Sequence, residues 1–344
     1  MTSAWTFGWD IGGAHLKLAA RDAAGAWKGI RQLACPLWQG LHELEAAVVE
    51  LAREWPLQAG WHRVTMSGEM CDLFATRAEG VHGILDFLTA RFGSRNVRVW
   101  TGSAGLQPAA AIAPDDVASM NWHASATALA TRLEQALFID LGSTTADVIL
   151  VRDGRVSTQA RDDRGRLATD ELVYQGVVRT PLMALAQRVP YRGLEQGVAA
   201  EYFATMADVY RVLEDLPPHA DLQPTADGRD KSLQASAARL ARMVGDDFTD
   251  DSLPALQALA GHYAALQAAR LQEALQRVES GAASNDTPIV GAGVGRFVVQ
   301  RLAARLERPW CSFGEALGVP PELAALASDH APATALAALP DPST

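Results

Sequence analysis

Two copies of one short signature set the terms for this chain. Phe7-Gly8-Trp9-Asp10-Ile11-Gly12-Gly13 stands near the start, and Phe138-Ile139-Asp140-Leu141-Gly142-Ser143-Thr144 follows 130 residues later. Each is a hydrophobic strand ending in Asp-x-Gly-small. Each is followed by a second apolar run, Leu16 to Ala20 and Val148 to Val151. The pattern predicts two β-hairpins with related turns, in which Asp10 and Asp140 sit where the first strand leaves its sheet. Glycine frees the turn backbone and leaves no Cβ between amide N–H groups and an anion. Two such loops facing each other would hold an oligophosphate between amide donors, with Asp10 and Asp140 near a Mg²⁺. That ion keeps several waters and needs only one or two carboxylates beside phosphate oxygens. A structural pair of hairpins explains the glycines, but not two acids at equivalent points.

At 344 residues, two domains are the better expectation than a single core. The 49% hydrophobic and 20% charged composition is that of an ordinary globular protein. A net charge of −10, with no Lys/Arg cluster longer than a pair, argues against nucleic acid as a partner. An anionic ligand must then be held by local donors and metal. Cys35, Cys71 and Cys311 lie far apart without a CxxC, which suggests neither a zinc site nor a disulfide framework. The sequence enters a strand by Trp5 with no signal-peptide pattern, and no apolar stretch approaches the ~20 residues of a membrane span. A soluble, cytoplasmic protein acting on small molecules is expected; a homo-oligomer is left open.

The fold class expected is α/β, an actin-like (ribonuclease-H-like) two-domain fold with a helical insertion in the second domain. Residues 1–135 form the first ribonuclease-H-like domain, reading βββ-α-β-α-β. Its strands occupy residues 5 to about 35, Val64-Thr65-Met66 and Val97 to Trp100. Helices are predicted from Leu41 to Trp55, Val81 to Phe92 and Ser119 to Glu134, with 101–120 irregular between strand and helix. Residues 136–335 start the pattern again. A helical insertion at about 180–280 holds helical spacing over Ala199–Leu213, Ser232–Met243 and Leu253–Glu279. Pro288 to Gly295 then reads as a strand running into a glycine turn, followed by helix Arg296–Leu306. The Ala/Pro-rich end, 336–344 and from about Pro332, is expected to be loose.

Further candidates join the two acids. Gly12, Gly13, Gly142, Ser143, Thr144 and Thr145 are the phosphate-binding turn residues, and Lys17 either reaches a phosphate or is a solvated strand lysine. Gly291, Gly293 and Gly295 precede a helix whose N-terminus offers unpaired N–H donors; close strand–helix packing is the alternative reading. Without a following βαβ unit this is not a dinucleotide motif. Glu69 leaves strand 64–66 through Gly68 and is a candidate base or metal ligand; a helix start capped by Ser67 or Asp72 is the alternative reading. His15, in the first turn, is a candidate proton carrier or a solvated turn residue. Asp147 reads as a polar strand residue, and Trp9, Trp38, Trp61 and Trp122 as core or cleft-lining aromatics.

Several longer strings carry a resemblance. They are Asp10-Ile-Gly-Gly-Ala, Ser67-Gly-Glu-Met-Cys-Asp-Leu-Phe, Asn121-Trp, Ile139-Asp-Leu-Gly-Ser-Thr-Thr-Ala-Asp, Arg179-Thr-Pro, Glu201-Tyr-Phe-Ala-Thr-Met-Ala-Asp-Val-Tyr and Thr225-Ala-Asp-Gly-Arg-Asp-Lys. In order, over roughly residues 5 to 335, they resemble the tetrahydromethanopterin-linked one-carbon transfer pathway proteins. That family belongs to the hydantoinase/oxoprolinase-related group of the actin-like ATPase superfamily. His15, Met70 and Cys71 depart from the family's usual residues. The resemblance implies methanofuran or methylofuran cofactor biosynthesis by an alkyl transfer. An aminomethyl-furanmethanol diphosphate would lose pyrophosphate to the phenol of a glutamyl-tyramine-type or tyrosine-type acceptor, forming an ether. On that reading Asp10, Asp140, Glu69 and His15 are catalytic, with Mg²⁺ at Asp10 and Asp140. Arg179, Asp208, Asp227 and Lys231 of the insertion would bind the organic substrates.

Other classes use the same loops differently. A small-molecule kinase would place ATP on them, and a cyclic-amide hydrolase would turn over ATP only with its lactam or hydantoin. A nucleotide-gated scaffold would close on ATP to contact a partner. ATP is thus a second candidate ligand.

Overall fold

The structure, a computed structural model, describes residues 4–280 and 286–340. The chain forms two compact units. One comprises Met1–Ala136, Ile149–Asp163 and Cys311–Thr344, the other Leu137–Val148 and Arg164–Trp310. The division follows packing and not chain order, so each unit draws on more than one stretch of the chain.

The first sheet is built from β1 (Trp5–Ile11), β2 (His15–Arg21), β3 (Trp27–Ala34), β4 (Gly60–Met66), β5 (Val97–Thr101) and β6 (Gly105–Pro108). Its order is β3-β2-β1-β4-β5-β6. β1 runs antiparallel to β2 and parallel to β4. Helices α1 (Leu41–Glu54), α2 (Arg77–Phe92) and α3 (Asn121–Ala130) complete the pattern. In α1, Leu44, Ala47, Val48 and Leu51 are buried at helical spacing. They share a core with Phe7, Trp9 and Ile11 of β1 and with Ile84 and Leu88 of α2. A strand alternates its faces, so Gly8 and Asp10 point the other way.

Two helix starts and the span 101–120 differ from expectation in the first unit, and α3 ends at Ala130 rather than Glu134. α2 starts at Arg77 and not Val81, because the Thr76 side chain accepts from the Glu79 amide and caps the helix there. α3 does not begin at Ser119, whose φ of 55° lies outside the right-handed helical region. The span 101–120 contains β6, antiparallel to β5.

The second sheet comprises β7 (Gln135–Leu141), β8 (Ala146–Arg152), β9 (Arg155–Ser157), β10 (Leu172–Val173), β13 (Ile289–Ala292) and β14 (Trp310–Ser312). Its order is β10-β8-β7-β13-β14, with β9 also on β8. β13 is parallel to β7 and sets Ala292 opposite Asp140. Helix α4 (Asp163–Thr169) precedes β10, and a small hairpin of β11 (Arg188–Tyr191) and β12 (Leu194–Gly197) stands apart. The insertion is helical, as expected: α5 (Met206–Val212), α6 (Leu233–Met243) and α7 (Leu253–Glu279) pack on one another. α5 is shorter than the apolar spacing over 199–213. Thr205 and Asp208 form a capping box that fixes its start. α8 (Arg296–Arg305) follows β13 and packs on it.

The C-terminus reverses an expectation. Residues 313–316 and 321–329 form α9 (Phe313–Ala316) and α10 (Pro321–Asp329), and the segment expected to be loose from Pro332 is α11 (Ala331–Ala338). Ala331 to Ala337 are all buried, against β1, β2, β4 and α3. A run of alanines fits here because Gly8 lets the helix backbone come close: a Cβ on Gly8 would lie 2.1 Å from the Ala333 carbonyl oxygen. Arg21 and Arg63 donate to the carbonyls of Ala337, Leu336 and Leu339, satisfying the helix end. Residues 341–344 of the expected tail lie outside the described residues.

Candidate active site

In the first unit, the β1–β2 turn carries the leading acid. Gly12 N–H donates to the His15 carbonyl at 2.9 Å, closing the turn and consuming that amide. The Gly13 and Ala14 amides make no hydrogen bond among the described residues, so these, and not Gly12, are the donors open to an anion. Asp10 is 2% exposed. The antiparallel register sets it opposite Lys17, whose ammonium lies 2.9 Å from Oδ2. Lys17 is therefore neither a solvated lysine nor a free one: it balances Asp10. Oδ1 of Asp10 is buried without a partner. His15 is the first residue of β2 and half-buried, and its carbonyl serves the turn.

Glu69 stands against the same turn. Gly68 approaches Gly12 so closely that a Cβ on it would meet the Gly12 carbonyl at 3.0 Å. The Glu69 carboxylate is 1% exposed, with Oε1 receiving the Ser119 amide at 2.9 Å and the Ser119 hydroxyl at 3.3 Å. Oε2 has no partner. Burial pushes this carboxyl above its ordinary range; the Ser119 donors oppose the shift without cancelling it. Ser119 also reaches Asp163, which pairs with Arg77 at 3.1 Å. Ser119 escapes sequence reading because a left-handed serine 50 residues from its partner leaves no pattern.

In the second unit, the Asp140 turn follows the same plan. Gly142 N–H is consumed by the Thr145 carbonyl at 2.9 Å, and the Ser143 and Thr144 amides make no hydrogen bond among the described residues. Asp140 is half-buried at the end of β7. The late glycines divide in role. Gly293, at φ 78°, would place a Cβ 2.6 Å from Asp140 Oδ1, so glycine is what admits that carboxylate. Gly295 donates to the Leu141 carbonyl at 2.8 Å and begins α8. Gly291 lies inside β13 against Val299 and Trp310, which is the packing reading. Asp147 is held by the buried Arg166 at 2.9 Å.

The segment after β10 braces this turn. Val178 and Arg179 donate their amides to the Ser143 carbonyl, at 3.1 and 2.8 Å. Gly176 sits so close that a Cβ would lie 2.3 Å from the Thr144 nitrogen. Gly176 is fixed in turn by the Thr180 hydroxyl, by the Gln267 amide at 3.0 Å and, through Gln267, by the Tyr210 hydroxyl. Arg179-Thr180-Pro181 thus combines a turn brace with an exposed guanidinium.

Beside it opens a pocket of about 250 Å³, lined by residues that include Arg179, Tyr202, Asp208, Arg211 and Asp221. Arg179 and Asp208, both expected to bind substrate, do share this pocket. Asp227 and Lys231 do not line it; they support it. Asp208 is buried, caps α5 and accepts from Arg239 Nε at 2.9 Å. Asp227 accepts from Arg239 at 3.0 Å. Burial raises its pKa, but the Arg229 amide and the Arg239 charge outweigh that and leave it below the ordinary value. Lys231 donates to the Asp221 carbonyl at 2.8 Å.

Mg²⁺ can be tested against these donors. Among the described residues no group of three or more His, Cys, Asp or Glu could enclose a metal. Each turn instead offers a single carboxylate beside free amides, and Asp10 keeps one buried oxygen without a partner. That donor set fits an ion that completes its shell with water and phosphate oxygens.

Two ribonuclease-H-like sheets, each opening with an Asp-x-Gly hairpin, and a helical insertion in the second unit define the actin-like α/β fold. Nucleotide-free acetone carboxylase shares that fold, with a TM-score of 0.50 at 12% identity over 98% of this chain and 70% of that one. Residues 62–319 match the family described as hydantoinase/oxoprolinase, and the chain belongs to it. A curated relative from Methanocaldococcus jannaschii is 30% identical over 252 residues, 72% of this chain and 74% of that protein. It is named (4-{4-[2-(gamma-L-glutamylamino)ethyl]phenoxymethyl}furan-2-yl)methanamine synthase. The protein of that name from Methanococcus vannielii is 30% identical over 119 residues, 35% of this chain and 53% of its own length. No helix among the described residues is long and apolar enough to cross a membrane.

Proposed function

We propose that this protein is an alkyltransferase of methanofuran or methylofuran biosynthesis, joining a furfuryl diphosphate to a phenol with release of pyrophosphate. The observation that carries the reading lies in the second unit. The Asp140 turn, with its two unbonded amides, is bonded through Ser143 to the segment that presents Arg179 to a pocket. A turn suited to a phosphate-type anion and a pocket suited to an organic group thus share one brace, which supports this reading. The relatives' name supports the identity of that group, since it describes an aryl ether between a phenol and a furan methylene, with a glutamyl amide beyond.

The chemistry follows from the substrates. The furfuryl C–O bond to diphosphate breaks and its electron pair leaves with pyrophosphate, while the phenol oxygen forms the new C–O bond. Charge builds on the departing diphosphate, which preorganised donors stabilise. In the first unit the Gly13 and Ala14 amides would serve this, in the second the Ser143 and Thr144 amides with the Thr144 and Thr145 hydroxyls; Asp10 and Asp140 are the carboxylates that would hold Mg²⁺, which supplies further charge neutralisation. The phenol, with a pKa of ~10 in water, must lose its proton as the bond forms. Glu69 is the first candidate to take it, because its Oε2 is unpartnered and its carboxyl is tuned upward; His15 is the second.

The test is incubation of the protein with Mg²⁺, the aminomethyl-furanmethanol diphosphate and γ-glutamyl-tyramine, with mass spectrometry of products and parallel measurement of pyrophosphate. An ether formed with equal pyrophosphate and no ATP is the expected result. ATP turnover without ether would move the protein to the kinase or hydrolase class.

A further inference from the structure

We propose that the second-unit pocket is a carboxylate subsite. In it Arg179 ion-pairs with the α-carboxylate of an amino-acid-bearing substrate, the glutamyl end of the acceptor if the transferase reading holds. The argument starts from charge. Around the pocket Arg211 pairs with Asp208 at 3.3 Å and also with Asp221, and Lys231 lies 3.4 Å from Asp221. Behind it Arg239 pairs with Asp208 at 2.9 Å and Asp227 at 3.0 Å. Even the peripheral Arg242 and Arg229 have Asp227 within 4.0 Å. Arg179 differs: its guanidinium has no hydrogen bond or ion pair among the described residues. Each of these other cations thus has a carboxylate within 4.0 Å, and Arg179 presents to the open pocket a guanidinium that has none among the described residues.

That cation is placed for planar, two-point recognition of a carboxylate, which guanidinium does better than ammonium. Its backbone is fixed by the 2.8 Å bond to the Ser143 carbonyl, so only the side chain needs ordering on binding. Lys231, by contrast, is engaged with Asp221 and serves the wall. Val178 and Ala207 give the pocket an apolar flank for a methylene chain, while Thr205 and Gln223 add polar groups. At about 250 Å³ it falls below the ~300–1,000 Å³ of sites that enclose a whole drug-sized ligand, so it suits one end of a longer substrate. Asp208 is a positioning residue in this subsite: its carboxylate fixes Arg211, Arg239 and the start of α5.

The experiment is calorimetric titration of the full chain with γ-L-glutamylethylamide, compared with its analogue whose α-carboxylate is a carboxamide. The probe has no furan, phenol or leaving group, so its binding is independent of the reaction. The wild type should bind the acid, and Arg179→Met should weaken it about tenfold or more, as expected for a lost charge-assisted hydrogen bond. Arg179→Lys should recover part of the affinity. The carboxamide should bind wild type and Arg179→Met alike, and Arg229→Met, which removes an equal charge from the exposed rim, should change affinity less than about twofold. The proposal is overturned if the wild type does not bind the acid, or if Arg179→Met binds it as tightly. It is also overturned if pyrophosphate displaces the probe and loses more affinity than the probe does in Arg179→Met. Ether formation by Arg179→Met with unchanged KM for the acceptor would overturn the subsite alone and leave the transferase reading standing.

Discussion

Glu69 receives the Ser119 amide at 2.9 Å on one oxygen while its other oxygen is buried without a partner. A carboxylate fixed at one end and open at the other is suited to accept a proton from a defined direction. A base must be ionised to act, and burial raises the Glu69 pKa. Activity should therefore fall as pH drops through a value above the ~4.3 of an ordinary glutamate. Glu69→Gln should lower kcat by roughly 10²–10⁴ and remove that acid limb from the pH–rate profile. An unchanged limb in Glu69→Gln would assign the base elsewhere, with His15→Ala as the next variant.

Trp9 and His62 predict a pH-dependent stability unrelated to catalysis. Trp9 Nε1–H donates to His62 Nδ1 at 3.0 Å, and His62 Nε2 lies 3.0 Å from the Leu57 carbonyl, so the buried ring is neutral with its proton on Nε2. Burial lowers its pKa to about 4, against a weaker upward pull from Leu57. The unfolded chain takes up this proton near pH 6.5 and the folded one only near pH 4. Stability from this group is complete above pH 6.5, declines between 6.5 and 4, and is lost below; the decline is about 3 kcal/mol. Urea unfolding at pH 7 and pH 4.5 measures it. A His62→Gln variant should start less stable and show a shallower dependence.

The paired hairpins were legible because an apolar run ending in Asp-x-Gly is a strand-and-turn instruction on its own. Helix α7 was equally legible, with Pro254 in its first turn and a long periodic stretch to Glu279. Residues 155–197 hold β9, α4, β10, β11 and β12, too short for any periodicity to build up. The C-terminal helix was hidden by composition: alanine and proline read as a tail, and only the bare backbone at Gly8 makes alanines a core. At the site the acids and turn glycines were visible, but not which amides the turns consume. Nor was it visible that Asp208, Asp227 and Lys231 are engaged with charged neighbours while Arg179 has no such partner among the described residues. The first depends on the geometry of bonds closed within each turn, the second on ion pairs up to 31 residues apart in the chain.

Gly293 lets the Asp140 side chain occupy its place. Gly293→Ala adds a Cβ 2.2 Å from the Leu141 carbonyl oxygen and 2.6 Å from Asp140 Oδ1, at a φ of 78° that side chains resist. The variant should lose activity by at least the order of Asp140→Asn while losing about 1–3 kcal/mol of stability. Gly291→Ala meets only side chains, at 3.1 Å or more, and should be the milder of the two in both assays. Equal effects would mean that the two glycines share one packing role.

The C-terminal helix makes a separate prediction about folding. Gly8→Ala would drive a methyl into the Ala333 carbonyl at 2.1 Å and the Ala337 nitrogen at 2.6 Å, and neither backbone atom can step aside cheaply. The expected result is a lower Tm and faster proteolysis after Asp329, with α11 the first element released. Arg63→Met, which removes the donor to Leu336 and Leu339, should act in the same direction. Resistance of both variants to protease would show that α11 does not depend on this strand.

Lys17 and Asp10 give the prediction that bears on metal. The ammonium lies 2.9 Å from one carboxylate oxygen of Asp10, and the other oxygen is buried without a partner. A divalent ion together with pyrophosphate would supply the missing partner, so Mg²⁺ should increase the rise in Tm produced by pyrophosphate. Asp10→Asn should abolish that Mg²⁺-dependent increment while keeping the part due to pyrophosphate alone, which the amides bind. Lys17→Met should be less stable without metal, because it leaves the Asp10 charge buried and unpaired. The loss should be smaller than the about 3–5 kcal/mol of a fully buried pair, since the lysine side chain is 22% exposed. Mg²⁺ with pyrophosphate should then restore more stability to Lys17→Met than it adds to the wild type. An Asp10→Asn protein that keeps the full Mg²⁺ increment would remove Asp10 from the metal site and leave the Lys17 pair as a purely structural bond.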